Sequence, residues 1–223
     1  FDALTVLSLV ASKTSRIPVG TAVVPIFPIH PMVLAKHALT AQIASEGRMT
    51  LGVGLSHRPM IEDVMGLSYE SPARHMEEYL NVLRPLLDDG KVDFQGQFFN
   101  VKAQFQVPGA LHVPVVIAAL APMMLRIAGE QADGTFTWMA GPNTVESHVV
   151  PRINRAADSA DRPSPRICVG MPLAVTDNPQ EARAQAAKTY ERYGQLTNYR
   201  RMLDIEGVEG PSEVALIVNE DQV

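Results

Sequence analysis

Apolar positions along the chain alternate between two spacings. In Leu4–Ser12 they recur every three or four residues, which is the spacing of one helix face. Ile17–Val24 is instead a short apolar run rich in β-branched residues, which is typical of a buried strand. The same alternation continues along the rest of the chain. It predicts further helices over Met32–Ser45, Ala73–Leu87, Pro122–Gln131, Thr144–Ala157 and Pro179–Tyr193, and further strands over Met49–Leu55, Val113–Ala119, Thr135–Met139 and Arg166–Val175.

Strands that alternate with helices indicate repeated βαβ units and a parallel sheet, so the fold class is α/β. Residues 89–112 depart from this order, because Val92–Val101 contains two β-rich runs on either side of Gly96. That pattern predicts a small hairpin. We expect one domain over residues 1–223, with the hairpin as an insertion at about residues 89–112.

The local pattern fits both a doubly wound sheet and a barrel, since both bury nearly continuous apolar strands. A dinucleotide-binding turn would rest on Gly52–His57. The third glycine of that fingerprint is absent, with His57 in its place, and no acidic residue follows at the required distance. Dinucleotide binding at this turn is therefore disfavoured.

Composition excludes several classes of function. The 223 residues include 19 basic and 24 acidic side chains, interspersed, so a nucleic-acid partner is not expected. No apolar run reaches the roughly 18 residues of a membrane span, so no membrane partner is expected. Cys168 is the only cysteine, which excludes an internal disulfide and a multi-cysteine metal site. No metal-spaced carboxylate cluster is visible. We expect a soluble, cytoplasmic protein without a metal.

Four blocks, in order and at their observed intervals, form a more specific pattern. They are Thr14–Val23 with His30-Pro31 after it, Gly47–Gly54, Pro114–Pro122 and Ala132–Gly134. Together they resemble the luciferase-like monooxygenase superfamily, in particular the branch that uses the deazaflavin coenzyme F420. The resemblance covers nearly the whole chain and implies a (β/α)8 TIM barrel of the bacterial-luciferase type.

On that alignment Leu4–Ser12 corresponds to the second barrel helix. The first strand, the first helix and the second strand would precede residue 1, and the last helix and strand would follow residue 223. Because an open barrel would expose sheet edges, we expect these segments to exist in the complete protein.

The resemblance implies an oxidoreductase that transfers a hydride between coenzyme F420 and an unidentified small organic substrate. Two alternatives stay open. One is an FMN-dependent luciferase-like monooxygenase, and the other is a non-catalytic flavin-binding relative or an inactive truncated chain. Relatives often dimerise through barrel helices, so a homodimer is an open alternative as well.

Barrel active sites lie at the carboxyl ends of the strands, which selects two cofactor-binding segments near the N-terminal half. In the deazaflavin branch a non-proline cis peptide presses on the cofactor ring, and the matching bond is Ala22–Val23. Gly54 would permit close approach to the ring, and Ser56 would meet its edge. His57 is the candidate catalytic donor or general acid, with a loop histidine without a role as the alternative.

The third strand-to-helix turn is a candidate anion site, because free N–H groups and the positive end of the dipole meet there. The family places the cofactor phosphate or ribityl tail near this turn, which implies cofactor contacts at Ala119, Leu120 and Ala121. This chain has Leu120 and Ala121 where relatives usually have glycines, which leaves less room. Arg126 could add charge, or it could be a solvated helix arginine.

Trp138, the only tryptophan, is the second candidate catalytic residue, because it could stack on a substrate at the mouth. The alternative is a bulky residue that fills the barrel. Sugar-phosphate-oxidising relatives carry a lysine after this strand, and the matching position here is Gly141, which disfavours a phosphosugar. Arg200 and Arg201 are candidate contacts for an acidic cofactor tail.

The remaining polar residues that the pattern singles out have structural interpretations. His30 precedes Pro31 and is interpreted as a helix cap. Arg74 is spaced to form ion pairs with Glu77 and Glu78 on one helix. Three histidines fall within predicted helices and are interpreted as surface or packing residues: His37, His75 and His148.

Overall fold

The computed structural model describes residues 1–222, which divide into two compact units. Unit 1 comprises residues 1–118 and 131–133, and unit 2 comprises residues 119–130 and the described chain from residue 134 onward. The elements of unit 1 are α1 (Ala3–Ala11), β1 (Val19–Gly20), β2 (Val24–Pro25), α2 (Pro31–Ala44), β3 (Met49–Gly54), a π-helical turn (Met60–Val64), α3 (Pro72–Asp88), β4 (Lys91–Gln95), β5 (Asn100–Gln104) and β6 (Val115–Ala118).

β3 is the central strand of unit 1. It pairs in parallel with β1, with β2 and with β6. Five of its six residues are buried, as expected for a strand covered on both faces. Leu51 and Val53 are fully buried, as are Leu34 of α2 and Leu83 of α3.

The predicted strand Ile17–Val24 is divided into β1 and β2. Between them, a side chain replaces the backbone hydrogen bonds to β3. The hydroxyl of Thr21 donates to the carbonyl of Gly52 at 2.7 Å and accepts from the Gly52 N–H at 2.8 Å. A Cβ atom at Gly52 would lie 2.0 Å from the carbonyl oxygen of Thr21. Only glycine at position 52 therefore allows β3 to approach the segment around Thr21 this closely.

Side chains cap the start of α2 and the end of α1. The ring nitrogen Nδ1 of His30 accepts from the N–H of Met32 at 3.2 Å, which confirms the predicted cap of α2. The guanidinium of Arg48 donates to the carbonyl of Ala11 at 2.9 Å and to that of Thr14 at 2.7 Å. These bonds hold the last residue of α1 and the turn that follows it.

β4 and β5 pair antiparallel and give the hairpin that the sequence predicts. The carboxylate of Glu78 on α3 fixes the hairpin turn, since it accepts from the N–H of Phe98 at 2.7 Å and of Gln97 at 3.0 Å. Arg74 pairs with it at 3.1 Å, as the sequence predicts. Burial on its own raises the pKa of Glu78, but these donors lower the pKa overall.

The Ala132–Gly134 block has a structural use in unit 1. The carboxylate of Asp133 accepts from the N–H of Val115 at 2.8 Å and from the guanidinium of Arg84 at 2.7 Å. It thereby fixes the first residue of β6 against α3.

Unit 2 contains the later elements. They are α4 (Pro122–Gln131), β7 (Gly134–Trp138), α5 (Pro142–Thr144) continued by a π-helical turn (Val145–Val149) into α6 (Val150–Ser159), β8 (Arg166–Gly170), β9 (Leu173–Val175), α7 (Pro179–Gln195), α8 (Thr197–Glu206) and β10 (Leu216–Val218), with short 3-10 turns at Pro211–Glu213 and Glu220–Gln222.

Two parallel strand pairs form in unit 2, β7 with β8 and β9 with β10. The predicted strand Arg166–Val175 divides into β8 and β9 around Pro172, which has no N–H to donate to a ladder. Helix α8 was not expected from the pattern. It ends at Gly207, whose φ of 82° is the left-handed conformation that glycine adopts readily.

Candidate active site

Three strand ends lie at one edge of the sheet in unit 1. Pro25 of β2 is the register partner of Gly54 at the end of β3. Val53 is in turn the partner of Ile117, one residue before the end of β6. Parallel strands that are in register bring their carboxyl ends together, and this is the edge where barrel enzymes build their sites.

The peptide bond between Ala22 and Val23 is cis, as the resemblance implies. Ala22 is exposed and Val23 is half-buried. A Cβ atom at Gly54 would lie 2.6 Å from Cγ2 of Val23 and 3.2 Å from Cβ of Ala118. Gly54 thus makes room for the side chain of Val23, whereas the sequence suggested direct approach to a cofactor ring.

Ser56 and His57 follow β3 and are both half-buried. Ser56 has a φ of 60°, and its carbonyl accepts from the hydroxyl of Tyr69 at 3.3 Å. The carbonyl of His57 accepts from the N–H groups of Met60 and Ile61, which begins the helical turn beyond it. The structure therefore places the two residues side by side beyond the end of β3. Their contact with a cofactor stays a prediction.

An aromatic stack forms beside the segment that follows β2, and the sequence did not predict it. Phe27, in the segment after β2, stacks on the ring of His75 at 4.3 Å and on that of Tyr69 at 5.0 Å. Burial lowers the pKa of His75, and the nearby charge of Glu78 opposes the shift. Its Nε2 is buried without a hydrogen-bond partner among the described residues. His75 is thus a packing residue, as interpreted from the sequence, and its ring packs against aromatic side chains.

A buried histidine fixes the predicted anion-binding turn in unit 2. Nε2 of His148 lies 2.7 Å from the carbonyl oxygen of Leu120, and His148 is only 7% exposed. Because a carbonyl oxygen can only accept, Nε2 must carry the proton. Ala119 is buried and Ala121 is exposed on either side of this contact. His148 is a packing residue, as interpreted from the sequence. Helical spacing did not predict its hydrogen bond to this turn.

Arg126 pairs with Glu130, one turn further along α4. The charge of its guanidinium is thus offset within the helix, which favours the structural alternative for Arg126. A cofactor contact of Arg126 stays a prediction. Arg200 is also engaged, since it donates to the carbonyls of Val208 at 2.7 Å and Glu209 at 2.6 Å. These bonds close the end of α8, whereas Arg201 is exposed.

Trp138, at the end of β7, lies among aromatic residues of α7. Its ring meets those of Tyr190 at 6.0 Å and Tyr193 at 6.2 Å, both edge to face. Gly170 on β8 makes room for it, because a Cβ atom there would lie 3.1 Å from the indole. The indole Nε1 is buried and has no hydrogen-bond partner within residues 1–222.

Gly141 is adjacent to a carboxylate. Glu206 of α8 accepts from the N–H of Thr144 at 2.8 Å and of Asn143 at 3.3 Å. A Cβ atom at Gly141 would lie 2.3 Å from the carboxyl carbon of Glu206. The N-terminus of α5, a natural position for an anion, is thus capped by an anion of the protein itself.

Within residues 1–222 no group of three or more His, Cys, Asp and Glu side chains is arranged to hold a metal ion. None of the described helices combines the length and the apolar character needed to cross a bilayer.

The family model of luciferase-like monooxygenases matches residues 1–216. The chain belongs to the luciferase-like monooxygenase family. The resemblance stated from the four sequence blocks is thereby confirmed, and the fold class is that of the luciferase-like α/β barrels.

One relative of this luciferase-like chain is an F420-dependent glucose-6-phosphate dehydrogenase from Microbacterium testaceum. It is 27% identical over 225 residues, which cover 98% of this chain and 66% of the relative. A protein from Mycobacterium bovis is 31% identical over 216 residues, which cover 90% of this chain and 64% of that relative. The chain thus spans slightly less than two thirds of the length of these two relatives.

Two solved structures share the fold. An F420-dependent secondary alcohol dehydrogenase, in complex with an F420–acetone adduct, matches with a TM-score of 0.81 at 19% identity, over 100% of this chain and 72% of its own. The oxygenating constituent of 3,6-diketocamphane monooxygenase from Pseudomonas putida, in complex with FMN, matches with a TM-score of 0.69 at 16% identity, over 93% of this chain and 65% of its own.

Proposed function

We propose that this protein is an oxidoreductase that transfers a hydride between coenzyme F420 and a small organic substrate. In the oxidative direction, a substrate alcohol loses a hydride from its carbinol carbon to the coenzyme and a proton from its hydroxyl to a base. The similarity to an F420-dependent dehydrogenase over nearly the whole chain supports the choice of coenzyme.

The observation on which the proposal rests most is the platform at the strand ends of unit 1. Val23, Gly54 and Ala118 pack closely there and offer apolar groups. Ser56 and His57, which are polar and half-buried, follow directly along the chain. An apolar surface with polar groups beyond it suits a flat heteroaromatic ring that has a polar edge.

Each group of residues would then have a distinct role. The platform would bind one face of the ring and exclude water from it. His57 would hold or move the proton at the substrate oxygen, for which an imidazole is suited near neutral pH. In unit 2, the turn at Ala119–Ala121 would offer backbone N–H groups to an anion. The bound deazaflavin itself supplies the hydride acceptor.

Turnover without oxygen tests the proposal. The chain is incubated anaerobically with oxidised F420 and a panel of alcohols, and coenzyme reduction is followed by absorbance. We expect reduction with at least one alcohol, and a His57→Ala variant that binds F420 normally but turns over at least about 100-fold more slowly. No coenzyme reduction with any alcohol, and none of the reverse reaction with the ketones, would overturn the proposal.

A second candidate is an FMN-dependent monooxygenase, which the likeness to an FMN-bound oxygenating enzyme favours. Its signature is oxygen consumption that depends on reduced FMN and on an organic substrate. Coupled oxygen uptake with reduced FMN, together with no reaction of F420, would replace the first candidate by the second.

A further inference from the structure

The end of β7 holds a hydrogen-bond donor that the protein itself does not use. The indole Nε1 of Trp138 is buried, and no acceptor within the described residues reaches it. Buried polar groups of folded proteins nearly always have partners, so an unpaired donor calls for an explanation. A bound molecule with an oxygen acceptor would supply the missing partner.

The groups around this donor are apolar or aromatic. The rings of Tyr190 and Tyr193 meet that of Trp138 edge to face. Leu120, like these three residues, packs against a buried core formed by Met139, Tyr199, Leu203 and Val214. These side chains would surround the carbon skeleton of a ligand, while the indole N–H would orient its oxygen. An arrangement of this kind fits an apolar molecule with one or two polar atoms.

The start of the helix that follows β7 argues against an anionic ligand. Three residues after Trp138, Gly141 contributes no cation, and Glu206 places its carboxylate on the N–H groups of Asn143 and Thr144. A phosphate there would meet a negative charge and would find these two N–H groups already occupied. The chain therefore differs at this point from what a sugar-phosphate site requires.

We propose that Trp138, Tyr190 and Tyr193 form a binding subsite within unit 2, and that it takes an uncharged alcohol or carbonyl compound with an apolar or aromatic body. The oxygen of the bound compound accepts a hydrogen bond from Nε1 of Trp138. Sugar phosphates are excluded by Glu206. This inference rests on the proposed function for the identity of the reaction, but binding at the subsite can be measured without turnover.

Two ligands of nearly equal shape separate the hydrogen bond from packing. Acetophenone carries a carbonyl oxygen, and ethylbenzene does not. Each is titrated into the 223-residue chain and into its Trp138→Phe variant by ligand-observed NMR, both without F420 and with F420 at saturation. Circular dichroism melting checks that the variant is folded.

We expect Trp138→Phe to weaken acetophenone binding by about 5- to 30-fold, the range for one buried hydrogen bond, and ethylbenzene binding by less than about 2-fold. Glucose 6-phosphate should not displace acetophenone. Equal effects on the two ligands, no binding of acetophenone under either condition, or displacement by glucose 6-phosphate would each overturn the subsite. If F420 does not bind but Trp138→Phe still weakens acetophenone binding more than ethylbenzene binding, the proposed function fails while the subsite stands.

Discussion

Replacing His148 by alanine tests whether the turn at Ala119–Ala121 is held in place for function. His148 lies in the π-helical turn between α5 and α6, and its Nε2–H is 2.7 Å from the carbonyl oxygen of Leu120. The ring is buried, so water cannot easily replace it as a donor. The alanine variant leaves the carbonyl without this partner.

The size of the effect follows from that burial. A buried group that loses its hydrogen-bond partner destabilises the fold by about 1–3 kcal/mol. For a domain of this size, each kcal/mol shifts the melting temperature by about 2–4 °C, so we expect a decrease of about 2–12 °C. If the turn binds the coenzyme, the same free energy raises the dissociation constant of F420 by up to about 150-fold.

Melting is followed by circular dichroism, and F420 binding by quenching of Trp138 fluorescence. His148→Gln is the matched control, because its side-chain amide can donate to the same carbonyl and should restore most of the affinity. A purely structural role would lower the melting temperature of the alanine variant without changing F420 affinity. Unchanged affinity in His148→Ala would refute the link between this turn and the coenzyme.

Three further predictions concern other contacts. Glu78→Gln should lower the melting temperature at neutral pH, and it should remove part of the acid sensitivity: the folded-state pKa of Glu78 lies below 4.5, so its contribution is present above that value and is lost as the pH falls through the folded-state pKa. A pH series of melts measures this, and identical acid profiles would contradict it. Gly54→Ala should lower the free energy of unfolding, measured by urea titration, by about 1–3 kcal/mol because the new methyl group clashes with Val23. Adding Val23→Ala removes the clashing side chain and should recover much of the loss. Arg200→Ala should melt lower than Arg201→Ala while both retain F420 affinity; lower affinity in Arg200→Ala would revive the sequence-based assignment.

Helical and strand periodicity predicted most of the longer elements, although it did not predict α8 or β10. Two predicted strands are divided, in each case where a local feature overrides the pattern. The Thr21 hydroxyl takes over the ladder bonds of Gly52 and divides one predicted strand. Pro172 divides another, since it has no N–H to donate. Neither event changes the hydrophobic pattern, so periodicity alone does not reveal it.

The candidate site was predicted less completely, because its contacts join residues far apart in sequence. The strand-end rule located Gly54, Ser56 and Trp138 correctly at carboxyl ends. It gave no indication that His148 would reach Leu120, 28 positions away, or that Glu206 would cap the helix after Gly141. Such pairs depend on tertiary packing, and a single sequence contains no spacing signal for them.

The central claim is that this luciferase-like chain uses a deazaflavin, and equilibrium binding tests it most directly. Trp138 is the only tryptophan, so its fluorescence reports on one position during titration with F420 and, separately, with FMN. The account predicts saturable binding of F420 that is tighter than binding of FMN. Tighter binding of FMN, or no saturable binding of either coenzyme, would contradict it.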